Sequence, residues 1–270
     1  VCHCGAFPSK QFHTNLNFSD MLFSGFLWFL SMLLPLVILQ RLLHREIQAV
    51  LLLLTRNVPL TIGLFSILFF PGVFLHEISH FLMAKLLQVR TRGFSLIPQS
   101  LSDGRLQMGY VEIERTDIIR DSFIGLAPLI AGSMFVAYAG VYQMQVHTLW
   151  NVLRNGQVEL FWMGLGLLPS ARDFYLWFYL TFAISSTMLP SDSDRHAWLP
   201  LGIWLAVLIA LVIFSGAGTW MIENLAPLFN NFLNSVALLF GLSNILHLVL
   251  LFPFFVFHRL LVFIMQVDVA

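Results

Sequence analysis

The sequence predicts a mainly α fold, a polytopic membrane helix bundle of about six spans, with a small membrane-associated β-hairpin after the second. Three observations carry this. Of the 270 residues, 58% are hydrophobic and only 10% charged, whereas a soluble domain carries roughly 25% charged residues. Several apolar runs exceed the ~20 residues an α-helix needs to cross a bilayer. Residues 90–121 interrupt that pattern with arginines and an Asp103-Gly104 pair, a dipeptide that favours a tight hairpin turn.

Residues 1–20 are polar and are expected at the membrane surface. No signal peptide is expected, because the first apolar run follows that stretch and is too long for an h-region. Cys2 and Cys4 are too few for a disulfide framework, and their spacing fits no common zinc pattern. The first span is expected over 21–43, closing with Arg41, His44, Arg45 and Glu46, and a short apolar piece follows at 47–54. The second covers 60–87; at about 1.5 Å per residue it outruns the hydrocarbon core, and Pro71-Gly72 offers a kink.

The flanks of the hairpin, FSLIP and RLQMGYVEIE, have β-type composition and partial alternation. A third span, 122–141, contains GLAPLIAG, small residues that let helices approach closely in lipid. Residues 145–171 are mixed, with an amphipathic or re-entrant segment at 160–168. Spans are expected at 174–189 and 198–214, then an amphipathic stretch at 220–234 and a last span at 238–264. The chain thus divides into a tail and first span (1–57), a core (58–200) and C-terminal helices (201–270). Lys+Arg and Asp+Glu balance at 14 each, which gives no reason to expect a nucleic-acid partner. The partner that composition does require is the lipid bilayer.

The chemistry gathers in PGVFLHEISHFL, residues 71–82. Ionisable groups inside an apolar helix are costly, by roughly 2.5–3.5 kcal/mol each for Asp or Lys, and mark function by default. His76 and His80 lie four residues apart, so on a helix they project from one face, one turn apart. Two imidazole nitrogens at that spacing can meet one tetrahedral metal ion, with Glu77 beside them as a non-ligand carboxylate. Zinc lowers the pKa of a coordinated water toward ~7, and a carboxylate in this place can take its proton and pass it to a leaving amine.

A catalytic zinc with two histidines needs a third protein ligand, and residues 81–88 offer only Lys85. Asp173, Asp192 and Asp194 are candidates, with Glu223 and His247 as outsiders. Counting spans places Asp192 and Asp194 at the HEISH end of the bundle and Asp173 and Glu223 at the other. The HEISH end also collects more positive residues (Lys10, Lys85, Arg90, Arg92, Arg105, Arg115, Arg120, Arg195, Arg259) than the other (Arg41, Arg45, Arg56, Arg154, Arg172). That excess points to the cytoplasmic side, and a prokaryotic cytoplasmic membrane is expected.

These residues resemble the site-2 protease class of intramembrane zinc metalloproteases. That class has HExxH in a membrane helix, a hydrophobic β-hairpin region after it, and a distant Asp ligand near an Asn-x-x-Pro…Asp-Gly motif. HEISH supplies the first; GYVEIE resembles the strand that carries Gly-Tyr-Val; GLAPLIAG resembles the start of the next helix; STMLPSDSDR stands where the Asp motif belongs. Thr187 takes the place of the Asn and Arg195 that of the Gly, and Asp194 falls one residue closer to Pro190 than usual. The resemblance spans residues 58–200.

It implies a zinc metalloendopeptidase that hydrolyses a peptide bond of a membrane-embedded or membrane-proximal polypeptide. His76, His80 and Asp194 (Asp192 as the alternative) would hold Zn²⁺, and Glu77 would be the catalytic base. Gln107, Met108, Gly109, Tyr110 and Val111 would bind substrate as an exposed strand edge, by β-augmentation; the other reading of the hairpin is a plug in the water path. Gly72 allows close packing beside the metal or simply completes a Pro-Gly kink. Arg195 serves an oxyanion or anchors its loop. A different class, a non-proteolytic metal-binding scaffold or transporter, is set apart by Glu77, for which only a hydrolase has a special need.

Overall fold

Among the described residues, five helices are long and apolar enough to cross a membrane, and large apolar side chains such as Ile67, Met134, Trp204 and Phe252 cover their outer faces. Such an apolar surface is what a bilayer requires and water does not tolerate, so the chain is a multi-pass membrane protein. The computed structural model describes residues 18–96, 99–100, 106–107, 109–114 and 116–266. The polar tail with Cys2 and Cys4, the Asp103-Gly104 turn and Met108 lie outside the described residues.

The first two helices are α1 (Phe18–Thr55) and α2 (Val58–Leu86). Strands β1 (Thr91–Ser95), β2 (Gln99–Ser100), β3 (Leu106–Gln107) and β4 (Tyr110–Ile113) follow, then α3 (Ile118–Tyr138). The chain continues through α4 (Val146–Arg154), α5 (Val158–Leu167), α6 (Phe174–Ser185), α7 (Trp198–Val212), α8 (Gly218–Asn224) and α9 (Ala226–Met265). β1 pairs antiparallel with β4, with a register shift between Thr91 and Gly93, and β2 pairs with β3. The small sheet after α2 is therefore present, as two strand pairs.

The first span does not stop at residue 43. Helix α1 runs for 38 residues; of the polar cluster that seemed to end it, Glu46 is taken up by another helix, while Arg41 and Arg45 stay exposed on its surface. Glu46 and His258 of α9 are both buried and lie 2.6 Å apart. Gly25 N–H donates to Asn230 Oδ1 at 2.7 Å, and Asn244 Nδ2 donates to the Met32 carbonyl at 2.8 Å. In lipid, where apolar burial drives association weakly, such ties contribute roughly 0.6–2 kcal/mol each. The paired numbers rise together, so α1 and α9 run parallel. Arg259, one residue beyond His258, therefore sits beside Glu46 rather than at the HEISH end, which narrows the charge excess counted there.

Two other boundaries moved. The expected span at 174–189 is helical only over the 12 residues of α6, about 18 Å at 1.5 Å per residue and too short to cross alone. The stretch at 220–234 is divided: its first residues belong to α8 and the rest open α9, which runs unbroken for 40 residues through the expected last span. Between α7 and α8, Gly216 takes φ +86°, a left-handed conformation that only glycine adopts without strain.

Helix α2 begins on Asn57, whose side chain accepts from Leu60 N–H, and passes through Pro71 without interruption. Its buried stripe reads Thr61, Phe65, Phe69, Val73, Glu77, His80 and Ala84, the three-to-four spacing of one helix face. Phe65, Phe69 and Val73 pack with Leu43, Ile47 and Phe182. HEISH thus continues the face that α2 turns into the bundle, so the motif points inward rather than at lipid.

Candidate metal centre

His76 and His80 bring their Nε2 atoms to 3.2 Å, as a four-residue spacing on a helix dictates. Asp194, in the connection between α6 and α7, completes the group, with Oδ2 3.6 Å from His76 Nε2 and Oδ1 3.4 Å from His80 Nε2. Among the described residues this is the one set of three or more metal-ligating side chains that converges so closely.

The ring orientations are fixed from behind. His76 Nδ1 donates to the Thr187 carbonyl at 2.6 Å and His80 Nδ1 to the Ile124 carbonyl at 2.8 Å. A carbonyl only accepts, so each Nδ1 carries the proton and each Nε2 presents a lone pair. Two lone pairs and a carboxylate aimed at one point repel unless a cation stands between them. A tetrahedral ion with bonds of about 2.0–2.1 Å spreads its ligand atoms roughly 3.3 Å apart; the two Nε2 atoms stand 3.2 Å apart, and the two Asp194 oxygens face one imidazole each at 3.4 and 3.6 Å. The residues fit a metal ion, and the backing carbonyls are the kind of outer partner that histidine ligands use.

Asp194 is held as firmly. Ser191 donates to Asp194 Oδ2 from both N–H and Oγ, each at 2.7 Å. Farther along, His196 Nε2 lies 2.7 Å from Asp121 Oδ2, tying the loop to the first turn of α3. With both imidazoles in their charged form, the Asp194 carboxyl is held well below the usual carboxylate range: burial pushes it up, but hydrogen bonds from the protonated His76 and His80 rings and from Ser191 outweigh that. Its contribution to folding is complete above the ordinary carboxylate range and is lost only in strong acid. Replacing Ser191 by Ala removes the hydroxyl bond to Asp194 Oδ2 and keeps the N–H bond. The expected result is about tenfold weaker metal binding, measured by chelator competition, with the secondary structure by circular dichroism unchanged.

Two glycines make the approach possible. A Cβ on Gly125 would overlap the Asp194 carbonyl, and one on Gly72 would overlap the Ala183 carbonyl and Thr187 Oγ1. Gly72 therefore serves close packing of α2 on α6. Gly125→Ala pushes directly on the backbone of a ligand; it should cost roughly 1–3 kcal/mol of stability and weaken metal binding, seen as a lower Tm in detergent and a lower metal content.

Glu77 is buried yet makes no hydrogen bond among the described residues. It lines, with His76, His80 and Asp194, a cavity of about 1720 Å³. Phe29, Leu33 and Val37 of α1 form an apolar wall of that cavity, and Gly109, Tyr110 and Val111 border it. A Cβ on Gly109 would lie 2.9 Å from Glu77 Cγ, so the start of β4 sits directly over the carboxylate. The far edge of β4 is unpaired among the described residues, since its sheet holds only β1 and β4.

The structure separates the other candidates from the group. Asp192 is 85% exposed at its side chain and pairs with Arg195. Arg195 Nε also donates to the Ser191 carbonyl at 3.2 Å, so this arginine stitches the loop that carries Asp194. Asp173 pairs with Arg172 at the opposite end of α6, Glu223 is exposed on α8, and His247 is buried on Ser186. Gln107 differs from Gly109, Tyr110 and Val111: it is already paired with Gln99. Sequence reasoning missed Thr187, Ile124, Ser191 and Gly125. For Ser191 a signal existed, a serine three residues ahead of an aspartate in a turn; carbonyls carry none.

No protein-family model, curated protein or solved structure compared with the chain matches it.

Proposed function

We propose that the chain is an intramembrane zinc metalloendopeptidase acting on a membrane-embedded or membrane-proximal polypeptide. One arrangement supports the reading above all: two histidine lone pairs and a carboxylate converge on one point, with an unengaged, buried Glu77 beside them in a cavity. His76, His80 and Asp194 would hold the ion, and zinc is the common ion for a site of two histidines and a carboxylate. When bound, zinc polarises the scissile carbonyl and activates a water at neutral pH.

The chain's own residues supply the rest. Glu77 takes a proton from the attacking water and delivers it to the amide nitrogen as the C–N bond breaks, so the leaving amine departs neutral. The apolar α1 wall limits bulk water. The open edge of β4, from Gly109 to Val111, offers main-chain groups to a substrate segment that has unwound from its helix, and it lies over Glu77, where the scissile bond must come. The remaining excess of positive residues at this end supports a site on the cytoplasmic side of the membrane. Metal analysis of purified protein, with cleavage of single-span reporter proteins in proteoliposomes, tests the reading. Wild type without zinc, or zinc without cleavage that depends on Glu77, overturns it.

A further inference from the structure

The last turn of α6 is held by three other helices, and one of the groups it holds is a metal-binding histidine. Helix α6 ends at Ser185, so the carbonyls that follow have no partner within the helix. The Thr187 carbonyl is taken by His76 Nδ1 of α2. One residue earlier, the Ser186 carbonyl is taken by Gln40 Nε2 of α1. The Ser186 hydroxyl lies 2.9 Å from His247 Nε2 of α9. His247 Nδ1 lies 2.7 Å from the Ser243 carbonyl, so Nδ1 carries the proton and Nε2 accepts. Ser186 Oγ is therefore the donor, and the direction of every bond is fixed.

Ser186 and His247 are 1% and 0% exposed, and Phe182 packs at 5.6 Å against the His247 ring. Buried polar groups among apolar helices destabilise unless paired, and a Ser-His pair brings nothing that two apolar residues would not supply as mere filling. What these groups do supply is directional. Gln40 and His247 fix both polar groups of Ser186, and the next peptide then places the Thr187 carbonyl against His76. We infer that Gln40, Ser186 and His247 are positioning residues for the metal group, acting through Thr187 to aim His76 Nε2 at the point shared with His80 and Asp194. This rests on the metal reading above and adds α1 and α9 to the apparatus that builds the site.

The test compares Ser186→Ala, His247→Leu and Gln40→Leu with His247→Gln, which keeps an acceptor for Ser186. Thr181→Val is the control, a fully buried polar residue on α6 outside this chain of bonds. Three quantities are measured on full-length protein in detergent: zinc affinity by chelator competition, the visible absorption of the cobalt-substituted protein, and the Tm of the metal-free protein. The three loss variants should bind zinc about tenfold more weakly and shift the cobalt bands, while His247→Gln stays near wild type and Thr181→Val lowers Tm alone. Should Ser186→Ala not accumulate, Gln40→Leu and the His247 pair decide the matter. Loss variants that lower Tm as Thr181→Val does, with zinc affinity and cobalt bands unchanged, overturn the assignment. Wild type that binds neither zinc nor cobalt overturns the metal reading, and this inference with it.

Discussion

Asp194→Ala protein is expected to come off purification without its zinc, while Asp192→Ala retains it. The two aspartates are two residues apart, and composition treats them alike. Geometry does not: Asp194 presents its oxygens 3.4 and 3.6 Å from the two Nε2 atoms, whereas Asp192 faces outward on Arg195. Structural zinc sites bind with about 10–16 kcal/mol in all, so losing one of three ligands forfeits on the order of 3 kcal/mol or more, a factor above one hundred. Zinc per protein after dialysis against a chelator checks this, and the reverse pattern would reassign the ligand to Asp192. The same group sets the pH response. Each Nε2 must be free of a proton to bind metal, so binding releases protons and acid competes with it. Zinc retention should therefore be weaker in acid than at neutral pH, read as metal content after dialysis at each pH.

Much of this arrangement was legible in residues 71–82, because two histidines at a helical spacing constrain each other without help from the rest of the chain. Asp194 was legible only as one of a pair, since choosing between Asp192 and Asp194 depends on which way a four-residue turn faces. That direction is set by Ser191 and Arg195 acting on the turn and by Gly125 admitting its backbone. The boundaries of α1 and α9 were misread for a related reason. Arg41, His44, Arg45 and Glu46 resemble a membrane edge when α1 is read alone, and Glu46 becomes an interior residue only because His258 arrives from more than two hundred residues away. Hydropathy sums along one strand of sequence, so it cannot register a polar group that is neutralised by another helix. His247 shows the same limit: alone it is a stray histidine in an apolar run, and its meaning lies in Ser186 and the Thr187 carbonyl.

Glu77→Gln should leave zinc in place and abolish cleavage. The amide is nearly isosteric with the carboxylate, and Glu77 contributes no atom to the group formed by His76, His80 and Asp194, so metal content should match wild type. What the amide cannot do is take a proton from water and return it to the leaving nitrogen, a contribution of typically 10²–10⁴-fold. Turnover of a single-span reporter in proteoliposomes should fall by at least that lower bound, while zinc stoichiometry stays constant. The comparison separates the proposed hydrolase from a metal-binding scaffold or transporter, because neither of those cleaves a polypeptide in a way that depends on Glu77. Equal cleavage by wild type and Glu77→Gln would remove Glu77 from the chemistry and leave the metal reading standing. Zinc lost from Glu77→Gln would mean instead that the carboxylate reaches the ion. The position of Gly109 over Glu77 makes a companion prediction: Gly109→Val should lift β4 off the carboxylate and reduce cleavage without changing bound zinc, because the strand touches the base and not the metal group.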